Sequence, residues 1–339
     1  MVSKKKTPKK SVKKQNRNIE NRNNKYKAFK TVLLILNLMA VFYTPFVRGL
    51  YFEAEQFPAE VFVLISFALF WVMKYLTKDG KFISTPMEYA SLGLAVVYFV
   101  SIIMSVSYRL AISEWLKYCM FFCIFIMITD LAKDQRSRIA VLWTVVAAAM
   151  GLSIIGLDSS VGGRFVDMAN SLFKSLHIPV EFFGLYVDGR IHSTIQYPNA
   201  LAVYLLVAVF ISLALSVISE KRWQRMVLGA CSTVLSVTLL LTLSRGVLIL
   251  VPFLLLLYIL FIPRGYKLKV SMLSINTALS SAVSLLIGRG VKFLSSNLWA
   301  RVVIGVLVYI AIFLMLEFLI SWLAGKSKFK LKIKPAFLL

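Results

Sequence analysis

Long runs of apolar residues, separated by short polar connections, dominate the sequence. They follow neither the 3.6-residue period of a surface helix nor the alternation of a half-buried strand. Runs of about 18 to 20 residues match the hydrocarbon core of a bilayer at about 1.5 Å per helical residue. A helix also satisfies its own backbone hydrogen bonds in lipid. The pattern predicts an all-α, polytopic transmembrane helix bundle of about ten spans, namely 31–50, 61–76, 88–106, 117–131, 139–156, 199–219, 226–243, 247–262, 270–287 and 300–324.

Composition agrees with a membrane protein, because 59% of the 339 residues are hydrophobic and the mean hydropathy is +0.79. The net charge of +24 is concentrated at the two ends of the chain. Residues 1–30 carry twelve Lys and Arg against Glu20, and five lysines lie in 326–339. We predict a disordered basic cytoplasmic tail over 1–30 and a transmembrane bundle over 31–325. Residues 326–339 are expected to form a basic cytoplasmic segment that leads into a truncated further span.

The charges of the connections predict the orientation of the bundle. With the N-terminus in the cytoplasm, the turns on the inner side are all basic. These inner turns contain Lys74, Lys78 and Lys81; Lys133, Arg136 and Arg138; Lys221, Arg222 and Arg225; Arg264, Lys267 and Lys269; and the Lys-rich end. The outer connections are poorer in Lys and Arg: 51–60, 107–116, 157–198, 244–246 and 288–299. Basic segments beside apolar spans favour membrane lipids as partners, not nucleic acid.

The longest connection, residues 157–198, is too long to be only a link between spans. Within it, Phe165, Met168, Leu172 and Leu176 are spaced as on one face of a helix over 164–177. Two interpretations are equally compatible with this pattern. The segment is either an amphipathic helix on the outer membrane surface or a lid that packs on the bundle.

Two arginines at the predicted outer face are the strongest candidates for chemistry. Arg190 lies just before the sixth span, and Arg245 lies in the short turn between spans seven and eight. Cationic side chains near hydrocarbon usually face a cavity or an anion, and two guanidinium groups can grip a diphosphate with forked hydrogen bonds. Gly246 would allow a tight turn and a close backbone approach. The alternative is that each arginine extends its charged end to the membrane surface.

Further polar residues near these arginines are candidate substrate-binding residues. Ser244 precedes Arg245, and Gln196 and Asn199 flank Pro198, which can start a helix. The two amides would bind sugar hydroxyl groups or cap that helix. His192 is the nearby imidazole, either a general base or a polar surface residue. Arg48 would line the same cavity or pair with Glu53 or Glu55. The complete set of candidate site residues is Arg190, Arg245, Arg48, His192, Gln196, Asn199 and Ser244.

Several common catalytic motifs are absent from the sequence. It has no P-loop, no HExxH, no GxSxG and no DxD-like pair for a metal-bound nucleotide sugar. We therefore expect no metal and no cofactor. Apart from Glu317, the spans contain no visible relay of ionisable residues, which counts against a proton-coupled pump.

The segments GRIHSTIQYPNALAVYL (189–205) and TLSRGVLIL (242–250) resemble the O-antigen ligase and polymerase family of bacterial envelope biosynthesis, as does TPFVRGLYFEAE (44–55). The resemblance implies a multi-pass glycosyltransferase of the bacterial cytoplasmic membrane. Such enzymes transfer a glycan from an undecaprenyl-diphosphate carrier to an acceptor outside that membrane. Arg190 and Arg245 match the motif positions that bind the donor diphosphate in the family. The implied reaction is metal-independent and inverting, with diphosphate as the leaving group.

The sequence departs from the family pattern at its C-terminal end. Family members usually carry, after these spans, a large outer loop with a histidine proposed as the general base. The sequence stops before such a loop, and His192 is not at that position. We therefore expect either the N-terminal part of a longer chain or a degenerate relative. Two alternatives to the glycosyltransferase stay open: a transporter or flippase for a lipid-linked or anionic substrate, and a non-catalytic scaffold in envelope synthesis.

Overall fold

Eleven α-helices make up most of the computed structural model, which describes residues 26–78, 82–177, 181–287 and 297–326. They are α1 (Lys27–Tyr43), α2 (Glu53–Thr77), α3 (Pro86–Ser101), α4 (Tyr108–Leu131), α5 (Gln135–Ser159), α6 (Arg164–Ser175), α7 (Pro198–Ile218), α8 (Arg222–Leu241), α9 (Arg245–Phe261), α10 (Arg264–Leu286) and α11 (Leu298–Lys326). Ten of them match the ten predicted spans, and α6 matches the helix predicted over 164–177. The all-α polytopic bundle is thus confirmed. Most of the predicted tail, residues 288–296 of the predicted outer connection 288–299, and the segment 327–339 lie outside the described residues.

Within the described ranges, eight helices are long and apolar enough to cross a membrane: α1 with its 3₁₀ extension to Phe46, α2, α3 with its extension to Met104, α4, α5, α7, α8 and α11. The remaining two predicted spans differ in character. Helix α9 is strongly apolar but only 17 residues long. Helix α10 has 23 residues but a polar buried face, formed by Ser274, Asn276, Thr277, Ser280, Ser281 and Ser284.

Helices α2 and α4 begin earlier than the apolar runs predict. Helix α2 starts at Glu53 instead of near residue 61, and α4 starts at Tyr108 instead of near residue 117. Polar contacts join the two added helical segments. Arg109 Nη2 donates to Glu53 Oε2 at 2.6 Å, and Gln56 Nε2 donates to Ser113 O at 2.9 Å. A criterion based on apolar runs misses these turns because their partners are polar and distant in sequence.

The chain separates into two compact units, and the first contains α1 to α4 and the start of α5. At the predicted inner end of this unit, Lys74 is buried and lies 3.4 Å from Asp130, which also pairs with Lys133. Glu88 forms a capping box with Thr85 at the start of α3 and accepts a hydrogen bond from Thr129 of α4. The buried charges of Lys74 and Glu88 therefore have partners in a neighbouring turn or helix, as burial requires.

The second unit contains residues 44–49 and the chain from Leu142 onward. Its core is built by α7, α8, α10 and α11. The polar face of α10 bonds to both neighbours: Thr277 Oγ1 lies 3.0 Å from Ser232 Oγ of α8, and Asn276 Nδ2 donates to Tyr309 O of α11 at 3.1 Å. Small and polar side chains of this kind hold helices together in lipid, where apolar burial supplies little driving force.

Glu317 of α11 belongs to an ion-pair cluster in the second unit. Its carboxylate accepts from Arg222 Nε at 2.5 Å and pairs with Arg225 Nη1 at 3.0 Å. Both arginines lie in the first helical turn of α8, and they belong to a connection that was predicted to lie on the inner side of the membrane. The cluster explains how an acidic residue is accommodated in an otherwise apolar helix.

Gly229 of α8 allows a close helix contact in this core. A Cβ atom at Gly229 would overlap the hydroxyl oxygen and Cε1 of the fully buried Tyr309 of α11. The ring therefore occupies the space that a side chain at position 229 would need.

We predict that Gly229→Ala destabilises the protein by about 1–3 kcal/mol, because the added methyl group overpacks the Tyr309 contact. Gly93→Ala in α3 is the matched control, since a Cβ there meets no atom within 4 Å. Thermal unfolding of both variants in the same detergent checks this expectation. Replacing Tyr309 by Leu should partly restore the Gly229→Ala variant. Equal unfolding temperatures for the two alanine variants would show that the contact is not close.

Candidate functional site

A short β-hairpin presents Arg190 in the connection between α5 and α7. Strand β1 (Tyr186–Val187) pairs antiparallel with β2 (Arg190–Ile191), with Val187 opposite Arg190. The two turn residues, Asp188 and Gly189, have φ values of 51° and 72°. Positive φ at both positions is the mark of a type I′ turn, for which Asp-Gly is a favoured pair. The hairpin was not predicted from the sequence, although its Asp-Gly signal was present.

The chain after β2 is seated on α5. The backbone N–H groups of His192 and Ser193 both donate to Leu185 O, and Ser193 Oγ donates to Leu152 O of α5 at 2.7 Å. Ser193 is fully buried with a φ of 49°. Under Ile191, α5 carries Gly156, where a Cβ would lie 2.5 Å from the isoleucine side chain. These contacts hold the hairpin in one position on the second unit.

Arg190 connects the two segments that carry the predicted motifs. Its Nε donates to Thr242 O at 2.9 Å, and its Nη2 donates to Asn199 Oδ1 at 3.3 Å. Thr242 lies three residues before Arg245, and Asn199 lies in the first turn of α7. The guanidinium group thus lies between the start of α7 and the turn that leads into α9.

Arg245 is the first residue of α9, and its side chain is exposed. The sequence predicted the connection between α8 and α9 at residues 244–246, but the structure places it at residues 242–244. Leu243, with a φ of 51°, makes the reversal, whereas Gly246 is helical. The suggestion that Gly246 provides a tight turn is therefore wrong. A Cβ atom at this glycine would face open space, with no atom within 4 Å.

The first turn of α9 leaves backbone donors free. Ser244 occupies the N-cap position but makes no side-chain capping bond, and Leu248 N is the first donor to bond back, to Ser244 O. The N–H groups of the first helical residues have no partner within the helix. They carry the partial positive charge of the helix N-terminus, which favours an anion. Ser244 itself is buried, so its role in direct substrate contact stays a prediction.

The two arginines lack carboxylate partners among the described residues. Arg190 is held by a carbonyl and an amide oxygen, and Arg245 makes no hydrogen bond or ion pair within the same ranges. Asp188, the acidic residue nearest in sequence to Arg190, is exposed in the hairpin turn and forms no ion pair there. The charge of both guanidinium groups is therefore not neutralised by a described residue.

Gln196 and Asn199 have different partners, although both were predicted to contact sugar or cap a helix. Gln196 Nε2 donates to Phe183 O at 2.8 Å, which closes the loop before α7. Asn199 accepts from Arg190 and donates to Tyr197 Oη at 3.2 Å. Pro198 begins α7, as predicted, with Tyr197 at the N-cap position. Asn199 thus positions Arg190.

His192 and Arg48 lie against the same loop. His192 Nδ1 lies 3.3 Å from Gln196 O. The Arg48 guanidinium lies over the Phe183 ring, 5.1 Å from its centroid, within cation–π range. The segment that carries Arg48 is joined to the loop by Thr194 Oγ1, which donates to Pro45 O at 2.8 Å. Within the second unit, Arg48 is therefore connected to the chain that bears Arg190.

The fold defines a multi-pass helical membrane protein. In its second unit, Arg190, Asn199 and the backbone of Thr242 form a polar cluster at the start of α7 and at the turn before α9, and the exposed Arg245 follows that turn. Comparison of the chain with protein-family models, with curated proteins and with solved structures gives no match. Function must therefore be inferred from the residues of the cluster and from their geometry. Two guanidinium groups and free N-terminal amides together suit a phosphate or diphosphate group.

We predict that Asn199→Asp weakens the binding of inorganic pyrophosphate about tenfold or more, because a carboxylate beside Arg190 replaces a neutral amide acceptor and offsets the guanidinium charge. The substitution keeps the size of the side chain and its acceptor atom. Ser171→Asp, on the exposed surface of α6, adds the same charge elsewhere in the second unit and should leave binding unchanged. Calorimetric titration of the purified protein measures both. Unchanged affinity of Asn199→Asp would contradict an anion site at Arg190.

Proposed function

We propose that the protein is a glycosyltransferase of the O-antigen ligase and polymerase type in a bacterial cytoplasmic membrane. Its substrate would be a glycan on an undecaprenyl-diphosphate carrier, transferred to an acceptor on the outer face. The observation that carries the proposal is the hydrogen bond from Arg190 Nε to Thr242 O. This bond joins two of the three sequence segments on which the family resemblance rests.

The chemistry of glycosyl transfer fits cations at this place. The acceptor hydroxyl oxygen bonds to the anomeric carbon and gives up its proton to the solvent, and the bond between that carbon and the diphosphate oxygen breaks. Negative charge then develops on the departing diphosphate. Arg190, Arg245 and the first-turn amides of α9 would stabilise this charge, because fixed donors cost no reorganisation during the reaction. His192, Gln196 and Ser244 would contact the donor at its glycan side.

A polyisoprenyl diphosphate donor also suits the membrane setting. Its hydrocarbon chain stays in lipid, and its charged group must be met at the membrane surface. Helices α7 and α9 are both strongly apolar along their length and begin beside Arg190. A carrier chain could follow their apolar surfaces while its diphosphate contacts the arginines. Arg48, in a segment that is hydrogen-bonded to the loop of Arg190, would add a third cation.

We predict that Arg245→Lys and Arg190→Lys each lower the release of undecaprenyl diphosphate about 100-fold, since lysine keeps the charge but loses the forked contact. The assay uses membranes that contain the protein, lipid-linked glycans extracted from bacterial membranes, and mass spectrometry of the released carrier. Arg109→Lys in the first unit, which keeps an ion pair with Glu53, is the matched control and should retain full activity.

Three outcomes of this assay distinguish the alternatives. A normal rate for Arg245→Lys would exclude a catalytic role of Arg245. Binding of the lipid-linked glycan without release of undecaprenyl diphosphate would favour a transporter or flippase. Neither binding nor release by the unmodified protein would favour a scaffold.

A further inference from the structure

We propose that α6 lies on the membrane surface with one face inserted among the lipids, and that it fixes the depth of the loop that carries Arg190. This inference concerns where α6 sits and does not depend on the proposed transferase activity. It decides between the two interpretations of the segment, surface helix or lid, that the sequence left open.

The apolar face of α6 is uncovered. Phe165, Met168, Leu172 and Leu176 are 47%, 64%, 54% and 58% exposed. Their spacing of three, four and four residues puts them in one row along the helix. A lid that packed on the bundle would bury this row. A face that belongs in the bilayer, by contrast, is not covered by protein, and the same holds for the outer surfaces of the spanning helices.

A different face of α6 packs on the protein. Val166 is buried in a small cluster with Ile155 of α5 and Leu185 of the loop. The ring of Phe173 lies 5.6 Å from that of Phe182. The orientation of the helix is therefore already fixed by protein contacts, and the exposed apolar row is left over after those contacts are made.

Three polar residues of α6 lie on the side away from the apolar row. Helical spacing places Asp167, Ser171 and Lys174 together, roughly opposite Phe165 and Leu172, and all three are exposed. This division between an exposed apolar row and an exposed polar row is the property of helices that lie in the membrane interface.

Helix α6 is also held at the end of a spanning helix. Asp158, near the end of α5, accepts hydrogen bonds from Phe165 N and Val166 N through Oδ2, at 2.9 and 3.0 Å. These bonds satisfy free donors of the first turn of α6. Helix α5 meets the length and hydropathy of a membrane span, so its end lies near the membrane surface. The start of α6 is thereby placed at that level.

The occupant of the apolar row is lipid and not a second copy of the chain. Four side chains on one short helix provide much less than the roughly 800 Å² per partner that a stable interface buries. The exposed row is, moreover, similar in kind to the exposed apolar residues of the spans, such as Val203 and Val207 of α7.

Two hydrogen bonds connect α6 to the loop that carries the candidate site. Asn170 Nδ2 donates to Phe182 O at 2.9 Å, and Phe182 N donates to Asn170 Oδ1 at 2.8 Å. Phe182 begins the loop that continues through Phe183 to the hairpin of Arg190. A helix seated in the interface would therefore hold this loop, and the arginine on it, at the depth of the lipid headgroups.

The test is the membrane depth of nitroxide labels on two faces of α6 in liposomes. Labels at Met168→Cys and Leu172→Cys should be more accessible to oxygen than to a water-soluble nickel complex, at a depth of about 5–10 Å. Labels at Ser171→Cys and Lys174→Cys are the matched controls and should prefer the nickel complex. The background replaces Cys119, Cys123 and Cys231 by alanine.

Two results would overturn the proposal. Equal accessibility to the nickel complex at all four positions would place α6 in water. Immobile labels at Met168 and Leu172 that neither reagent reaches would show that protein covers the row.

A second measurement keeps the native cysteines, in case the cysteine-free background does not fold. Benzoylphenylalanine at position 165, in place of Phe165, should form a photo-crosslink to lipid that mass spectrometry detects. The same group at position 171, in place of Ser171, should not. A crosslink from position 165 to protein, or none to lipid, would equally overturn the proposal.

Discussion

In the hydrocarbon of a bilayer, each polar group has to find its partner within the chain, and this constraint shapes both units of the protein. In the second unit the polar face of α10 is turned toward α8 and α11, where Asn276 and Thr277 find oxygen atoms to bond. In the first unit Asn37 donates to Leu33 O within α1. The close approach of α8 and α11 at Gly229 has a steric basis instead, because the glycine leaves room for the buried ring of Tyr309.

Cationic side chains at the predicted inner turns and at the candidate site differ in the partners that hold them. Arg222 and Arg225 share the carboxylate of Glu317, and Lys74 pairs with Asp130. Arg190, by contrast, is oriented by uncharged oxygen atoms. A carboxylate partner would stabilise an arginine but neutralise it, whereas carbonyl and amide oxygens hold the group in place and leave its charge available to a ligand. This difference is the physical basis for the proposed anion site at Arg190.

Backbone geometry and chemistry are coupled in the connection before α7. The positive φ angles at Ser193 and Gln196 are unusual for residues with side chains, and both are supported by contacts of the loop. Ser193 is held by Leu152, and Gln196 by Phe183. Strained backbone that is kept by several bonds is typical of segments that must hold a functional side chain in one place. In this loop the side chain proposed to be functional is Arg190.

The number and the approximate limits of the long helices could be read from the sequence, because the requirement to cross a bilayer depends on the length and hydropathy of each segment alone. The amphipathic character of α6 and the helix start at Pro198 were also predictable, since both depend on local spacing. The Asp-Gly turn belonged to the same class of local signals and was overlooked.

Which polar residues contact each other, by contrast, was known only from the folded chain. The early starts of α2 and α4 depend on contacts between Glu53 and Arg109, and the joining of the two motif segments depends on a bond between Arg190 and Thr242, 52 residues apart. Such partners leave no periodic trace in the sequence, since a hydrogen bond between distant segments is specified by the packing of all the helices between them.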